Sequence, residues 1–472
     1  PMIKPKRWEP NTLVRAVASC ASSIIGRARF KFAVDLPSSR NRWLTARRVV
    51  EIFFPLRPIL KIDAHGYSPT LLERILLMAG TADSCEAAAT ALQVVGEMTI
   101  SPRTINQLGA EFGGQLAEQR DERTRAYQEQ PLPRIATQSD PAVPLAAVFC
   151  DGGRMRTRCA EGGHGVHQPH WRETKNAAFH RMQSESHSVD PQPELPACFR
   201  NQAYVEKLVL GLKKAKNPPS ELMASAAEAR HAAAACAAEE PIQWQPKTLL
   251  RTCVSSLANS EQFGPQMAAE ADARGFFAAG KRAFVGDGQA YNWTIQRQWF
   301  SSFTAITDFI HVIEYLYEAA KALYQEPALR WQHYVEWGDA CWQGNVEQVI
   351  ATLQEHLPTA RAPTASGEME VHEALRRTMT YLVNNRSRMD YPHYRREGLP
   401  VTSSLAESLV KQISKRVKGT EKFWDDGPRG EAILQIRAAV ISQDHRLACF
   451  LRDRPISPYS PRCRKSSLGN AT

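Results

Sequence analysis

The sequence predicts an α/β fold with large helical parts, and three observations predict it. Short apolar runs end repeatedly at an aspartate: Leu145-Ala-Ala-Val-Phe-Cys before Asp151-Gly-Gly, Ala283-Phe-Val before Gly286-Asp287-Gly288, and Phe303 to Ile306 before Asp308. Runs of that length, bounded by glycine, read as buried strands. Long stretches with helical spacing, 68–128 and 309–397, lie on either side of them. Between the second and third runs, the aromatic-rich segment Tyr291 to Phe300 reads as a helix. Residues 283–308 therefore form a βαβ unit with acids at the carboxyl ends of its strands. An ordinary Asp-Gly turn is the other reading of Asp287.

A chain of 472 residues is long enough for two to four domains and a sizeable core. It carries 59 Lys/Arg and 49 Asp/Glu, a formal charge of +10. Residues 1–62 hold 13 basic against 3 acidic side chains, and residues 408–472 hold 13 against 6, so the middle is net acidic. Two basic ends around an acidic middle suit a protein that grips a polyanion and works on it centrally; solvated basic surfaces are the alternative. The 10 cysteines include no CxxC pair, which points to reduced thiols in a cytosolic protein. No apolar run approaches the roughly 18 residues of a membrane span, and no signal-peptide pattern follows Met2. The expectation is a soluble, cytoplasmic protein with no membrane partner.

Taken in order, residues 1–62 interleave Arg27, Arg29, Lys31, Arg40, Arg42, Arg47 and Arg48 with Phe30, Phe32 and Trp43. That mixture suits DNA phosphates or a subunit contact. Ser68-Pro69 starts a helix, Ser84 caps a second (Cys85 to Val95), and Ser101-Pro102 starts a third with Ile105, Leu108, Phe112 and Leu116 on one face. A helix-turn-helix would present Arg103, Thr104, Asn106 and Gln107 to DNA; a plain helical bundle explains the same pattern. Four prolines mark 129–144 as a linker. After Asp151-Gly-Gly, Met155 to Cys159 and Arg172 to Met182 read as antiparallel strands. Between them Cys159, His164, His167 and His170, with Cys150 nearby, suit either zinc or a Gly/His-rich hairpin tip lying on DNA. Residues 183–201 and 213–220 read as loops, 220–239 as an Ala-rich helix and 263–279 as another helix. The tryptophans of 309–397, among them Trp331, Trp337 and Trp342, mark a helical core. Residues 402–418 form a helix capped by Thr402 or Ser403, with Leu405, Leu409, Ile413 and Val417 as its buried stripe. Glu407 shares another face with Lys411 and Lys415. It is either half of an exposed i,i+4 pair or a metal ligand beside lysines that hold DNA.

Several segments together resemble the central signature of bacterial insertion-sequence transposases of the acidic-triad (DDE) class, ISKra-type. They are Phe263-Gly-Pro-Gln, Ala273-Arg-Gly, Phe284-Val-Gly-Asp-Gly-Gln-Ala-Tyr-Asn-Trp and Thr307-Asp-Phe-Ile-His-Val-Ile-Glu. The resemblance runs from about Ser68 to about Ser442. It implies an RNase H-like mixed-sheet core, interrupted by an all-helical insertion and preceded by a helical DNA-binding domain. The corresponding segments are a basic N-terminal region (1–62), a DNA-binding domain (63–128), a linker (129–144), the first part of the core (145–308), the insertion (309–398), the last part of the core (399–445) and a basic tail (446–472). It also implies that Asp151, in its Asp-Gly-Gly-Arg context, Asp287 and Glu407, in Ser404-Leu-Ala-Glu-Ser, hold two Mg²⁺ ions, with Mn²⁺ accepted. Asp151 bridges the pair, and Asp308 and His311 support the ligands or position DNA. Trp171-Arg-Glu-Thr-Lys resembles the family's next strand. A Cys-rich zinc module common near the start of such proteins is absent, since Cys20 stands alone there. The implied activity is cleavage and strand transfer on double-stranded DNA, at terminal inverted repeats and a target. The implied assembly is a homodimer or larger, in a nucleoid-associated bacterial setting. The alternative is a domesticated transposase that binds DNA without cutting it.

Overall fold

The computed structural model describes residues 61–454 except 64, 140, 159–169, 217–243, 358–365, 403, 420–421 and 426; for 213–216, 366–368 and 404–408 it describes the backbone alone. The basic segment 1–60, the Ala-rich stretch 220–239, and Cys159, His164 and His167 thus lie outside the described residues. Those described fall within one packing unit, Arg57–Thr472.

The first three helices start where their caps predict. Helices α1 (Pro69–Thr81), α2 (Cys85–Val94) and α3 (Pro102–Gln128) have Ser68, Ser84 and Ser101 as N-caps, each hydroxyl accepting a backbone N–H of the first turn. Their apolar faces do not close on each other alone. Leu72, Leu76, Ile105 and Phe112 share a core with Ile436 and Ala439 of α13 (Pro428–Ile441) and with Leu447 and Leu451 of α14 (Arg446–Asp453). At Gly113 the contact is backbone to backbone, since an added Cβ would sit 2.7 Å from the Ala432 carbonyl carbon. The segment expected to begin a basic tail at 446 therefore opens with a helix of this core.

The sheet, six-stranded among the described residues, runs β3-β2-β1-β4-β5, with β6 beside β1. Strand β1 (Leu145–Arg158) pairs antiparallel with β2 (His170–Gln183), which pairs antiparallel with β3 (Lys247–Ser256). On its other side β1 is parallel to β4 (Lys281–Gly286), and β4 to β5 (Thr304–Thr307). Where β4 stops, β6 (Trp424–Asp425) takes its place against Thr157 and Arg158. One expectation is corrected here. Asp151-Gly-Gly does not end the first strand; β1 continues through it, with Gly152 opposite Lys175 and Gly153 opposite Thr174. The two predicted strands on either side of the glycines are one. Close approach explains the glycine at 153, where a Cβ would meet Thr174 Oγ1 at 2.6 Å and Asn176 Nδ2 at 2.9 Å.

Alternate residues of β1 feed two cores. Leu145, Ala147, Phe149 and Met155 face one layer, with α7 (Phe309–Leu323), α8 (Pro327–Trp342), α9 (Val346–Glu355), α10 (Ser366–Asn385), α11 (Tyr391–Arg396), α12 (Ser404–Val417) and α13. Helix α4 (Gln202–Lys216) joins the same layer. Ala146, Val148 and Cys150 face α5 (Ser260–Ala273) and α6 (Ala290–Trp299). The described residues between 309 and 397 are largely helical, and Trp337 and Trp342 are buried as their spacing suggests. No helix among the described residues is long and apolar enough to cross a membrane.

Candidate active site

Parallel pairing sets the geometry. The last register pair of β1 and β4 is Cys150 with Gly286, so Asp151 and Asp287 follow side by side on adjacent strands. Neighbouring strands lie about 4.8 Å apart, so the backbones at Asp151 and at Asp287, just past the end of β4, are close. Asp151 belongs to the face of β1 that carries Phe149 and Met155, and its carboxylate accepts the Gly152 N–H at 2.7 Å.

Asp287 is held by the turn into α6. Its Oδ1 accepts the Gln289 N–H at 3.0 Å and Asn292 Nδ2 at 2.7 Å, and Oδ2 accepts Gln289 Nε2 at 2.8 Å. Its carbonyl accepts the Tyr381 hydroxyl at 3.2 Å, which ties the turn to α10. Gly288 must be glycine: its φ is +92°, and a Cβ there would run into the Tyr381 ring. Asn385 completes the link by accepting the Trp293 indole N–H at 2.8 Å. The all-helical segment thus buttresses the second acid through Tyr381 and Asn385, residues that sequence reading did not single out.

Asp308, fully buried, is the N-cap of α7 and accepts the Ile310 N–H at 3.1 Å. Its own N–H donates to the Gly286 carbonyl at 2.9 Å, fixing it next to the Asp287 turn. One turn on, His311 lies 3.3 Å from Glu314 and 3.8 Å from Asp308. Burial alone would depress its pKa. The Glu314 hydrogen bond and the carboxylates of Asp308, Asp287 and Asp151 outweigh that and push it up to about 10. The buried His311 ring thus lies between Asp308 and Glu314, and these acids favour its protonated form.

The opposite face brings a second group. Lys175, buried, donates to Glu173 at 2.7 Å and lies 3.6 Å from the centre of the Tyr291 ring. The Tyr291 hydroxyl is sealed from solvent. Its pKa is raised by burial first, then by Cys150, Asp287 and Asp151. Burial, with Asp287 and Asp151 next, likewise raises the Cys150 thiol, so Cys150 is a packed core residue. Tyr291 and Cys150 both register the field of the paired aspartates.

Helix α12 crosses this end of the sheet and packs on β1 and β2. Val410 sits over Gly153, 3.6 Å from where a Cβ would be. Leu409, Ile413 and Val417 of the predicted stripe are buried, the side chain of Leu405 lies outside the described residues, and Lys411 and Lys415 are exposed. Glu407 stands one turn before Val410 in this helix; its side chain lies outside the described residues. Among the described residues, no three His, Cys, Asp or Glu side chains are grouped to hold a metal ion. His170 is on β2, its Nδ1 3.0 Å from Thr157 Oγ1. At the start of α3, Arg103, Asn106 and Gln107 are exposed, while the Thr104 hydroxyl pairs with that of Ser101 at 2.8 Å. Comparisons with protein-family models and with curated proteins found no match to the chain.

Proposed function

We propose that the chain is a metal-dependent DNA transposase of the DDE class, with an RNase H-like core interrupted by the helices of 309–398. One observation carries the reading: the parallel pairing of β1 and β4 sets Asp151 beside Asp287, under the helix that contains Glu407. Three antiparallel strands in chain order, with two parallel strands on the far side of β1, support the core assignment.

The donor set fits Mg²⁺. Asp151 and Asp287 offer hard carboxylate oxygens, and Asp287 is oriented by Gln289 and Asn292, as a metal ligand is by its neighbours. Asp151, Asp287 and Glu407 would hold two ions; when bound, these supply activation of an attacking hydroxyl and stabilisation of a leaving oxygen. The rest falls to the chain's own groups. Tyr381 and Asn385 hold the Asp287 turn in place. His311 keeps its proton and lowers the cost of gathering carboxylates in a partly buried site. In this reading Lys411 and Lys415, exposed on α12, would hold DNA phosphates, and the exposed Arg103, Asn106 and Gln107 would read an element end.

The test is incubation of the protein and Mg²⁺ with a duplex carrying the terminal repeats that flank the coding sequence. The expected products are a nick at the element end and joining of that end to a second duplex. Sequence-specific binding with neither product would favour the domesticated, non-cutting alternative.

A further inference from the structure

Beyond Asp151 the second face of the sheet carries charge in place of a covering helix. Helices α5 and α6 pack on that face as far as Cys150. Past it, Arg154, Arg156 and Arg158 share the face by strand alternation, and Arg154 and Arg158 are exposed. The middle arginine is fixed between aromatic rings. Its guanidinium lies 5.3 Å from the centre of Trp171 on β2 and 4.7 Å from that of Phe423, just before β6. Lys418 reaches the same tryptophan at 5.9 Å. Nearby acids are already engaged, Glu173 by Lys175 and Asp425 by Arg429 at 3.3 Å. Arg154 and Arg158 make no ion pair or side-chain hydrogen bond among the described residues. The strand's end then opens into a cleft of about 240 Å³, lined by Arg158, Arg429, Trp424, Gly109 and Asn106.

We propose that this face is a docking track for one DNA strand, running over Arg154 and Arg158 into the cleft beside Asn106, on the side of β1 opposite the Asp151 side chain. It rests on the DNA reading of the carboxylate site. Arg154 and Arg158 stand about 13 Å apart on a rigid strand, two fixed cations on one face that suit the phosphates of a single strand. Arginine's planar donors suit phosphate oxygens, and the stacked Arg156 stiffens the row from within.

The experiment is fluorescence anisotropy of labelled single-stranded and duplex oligonucleotides over about 50–200 mM salt, using the full chain and the double variant Arg154→Gln/Arg158→Gln. Loss of two phosphate contacts should weaken the log K against log salt slope by about 1.4 for single strands and about 1.8 for duplex, with Tm unchanged. Arg154→Lys/Arg158→Lys should keep the slope, separating charge from local structure. An unchanged slope in the Gln variant overturns the track while leaving the DNA reading intact. Wild-type protein without salt-dependent DNA binding overturns both. Polyglutamate that competes as well as DNA would show a general polyanion surface and also overturn it.

Discussion

Asp308 and Gly288 show how individual residues hold the site. Asp308 caps α7 and faces His311, so Asp308→Ala should cost about 0.5–2 kcal/mol as a lost cap. Its nicking rate should fall much less than that of an Asp151 or Asp287 variant. Gly288→Ala forces both a left-handed φ and a collision with Tyr381, so about 1–3 kcal/mol of stability and much of the activity should go together. Thermal melts alongside a nicking assay measure both, and wild-type behaviour would remove the Asp287 turn from the account. His311 gives a pH prediction. Its folded pKa is raised from 6.5 to about 10, so the folded state holds the proton more tightly than the unfolded chain. The stability it contributes is fully present below 6.5 and is lost as pH rises through about 10. His311→Gln should flatten the fall of Tm across that window; an unchanged slope would mean that the acids do not charge the imidazole. The strands before Asp287 and Asp308 were legible because each is a short apolar run closed by a polar turn or cap. Their hydrogen-bonded support was not, since Tyr381 and Asn385 lie about a hundred positions further along the chain and nothing local marks them.

At the scale of elements, polar networks do much of the joining. Glu270 of α5 is buried and meets Arg123 of α3 at 2.8 Å, Arg274 at 2.7 Å and Arg446 of α14 at 2.6 Å. Burial would raise its pKa, but the three arginines override it and bring it down to about 2. Its contribution is therefore present above 4.5 and lost as pH falls through about 2. Glu270→Gln should cost about 3–5 kcal/mol near neutrality, because it leaves buried cations unpaired, and should flatten acid unfolding between those values. An equal loss at every pH would place the role of Glu270 in packing alone. Arg416 and Arg437 play a comparable part, donating to the last carbonyls of α1 at Ala79 (2.6 Å) and Gly80 (2.9 Å). Legibility varied with the physics of each element. Capped helices α1–α3 and the stripe of α12 were readable because their signals are local or periodic. Helix α13 was not read, because it is buried on nearly every side and so lacks an amphipathic stripe. Strand β1 was cut at Asp151-Gly-Gly because glycine usually punctuates; here it permits the close approach of Thr174. Strand β3 was missed, its Arg251 and Thr252 interrupting the apolar run that marks the other strands.

For the molecule as a whole, α1–α3 cannot be removed as a free-standing unit. Their core includes α13 and α14, and Arg120 of α3 pairs with Glu431 of α13. Deleting residues 1–128 should expose that core and unfold the protein, so loss of DNA binding in such a truncation would say nothing about recognition. Deleting residues 1–56 instead leaves the packing unit from Arg57 intact. That shorter chain should melt as the full one does while losing non-specific DNA affinity, given the 11 basic and 3 acidic side chains of residues 1–56. Unaltered affinity would assign the grip elsewhere. The central claim, that Asp151, Asp287 and Glu407 hold catalytic cations, is tested most directly by one nicking assay on a terminal-repeat duplex. It uses metal-free wild-type protein and the variants Asp151→Asn, Asp287→Asn and Glu407→Gln, with each metal added singly. Mg²⁺ and Mn²⁺ should support nicking by wild type alone. Ca²⁺ should support binding without nicking, because its ligands stand at about 2.3–2.6 Å against 2.0–2.1 Å for Mg²⁺. Nicking at the wild-type rate by any of the three variants, or activity restored by Zn²⁺ alone, would contradict it.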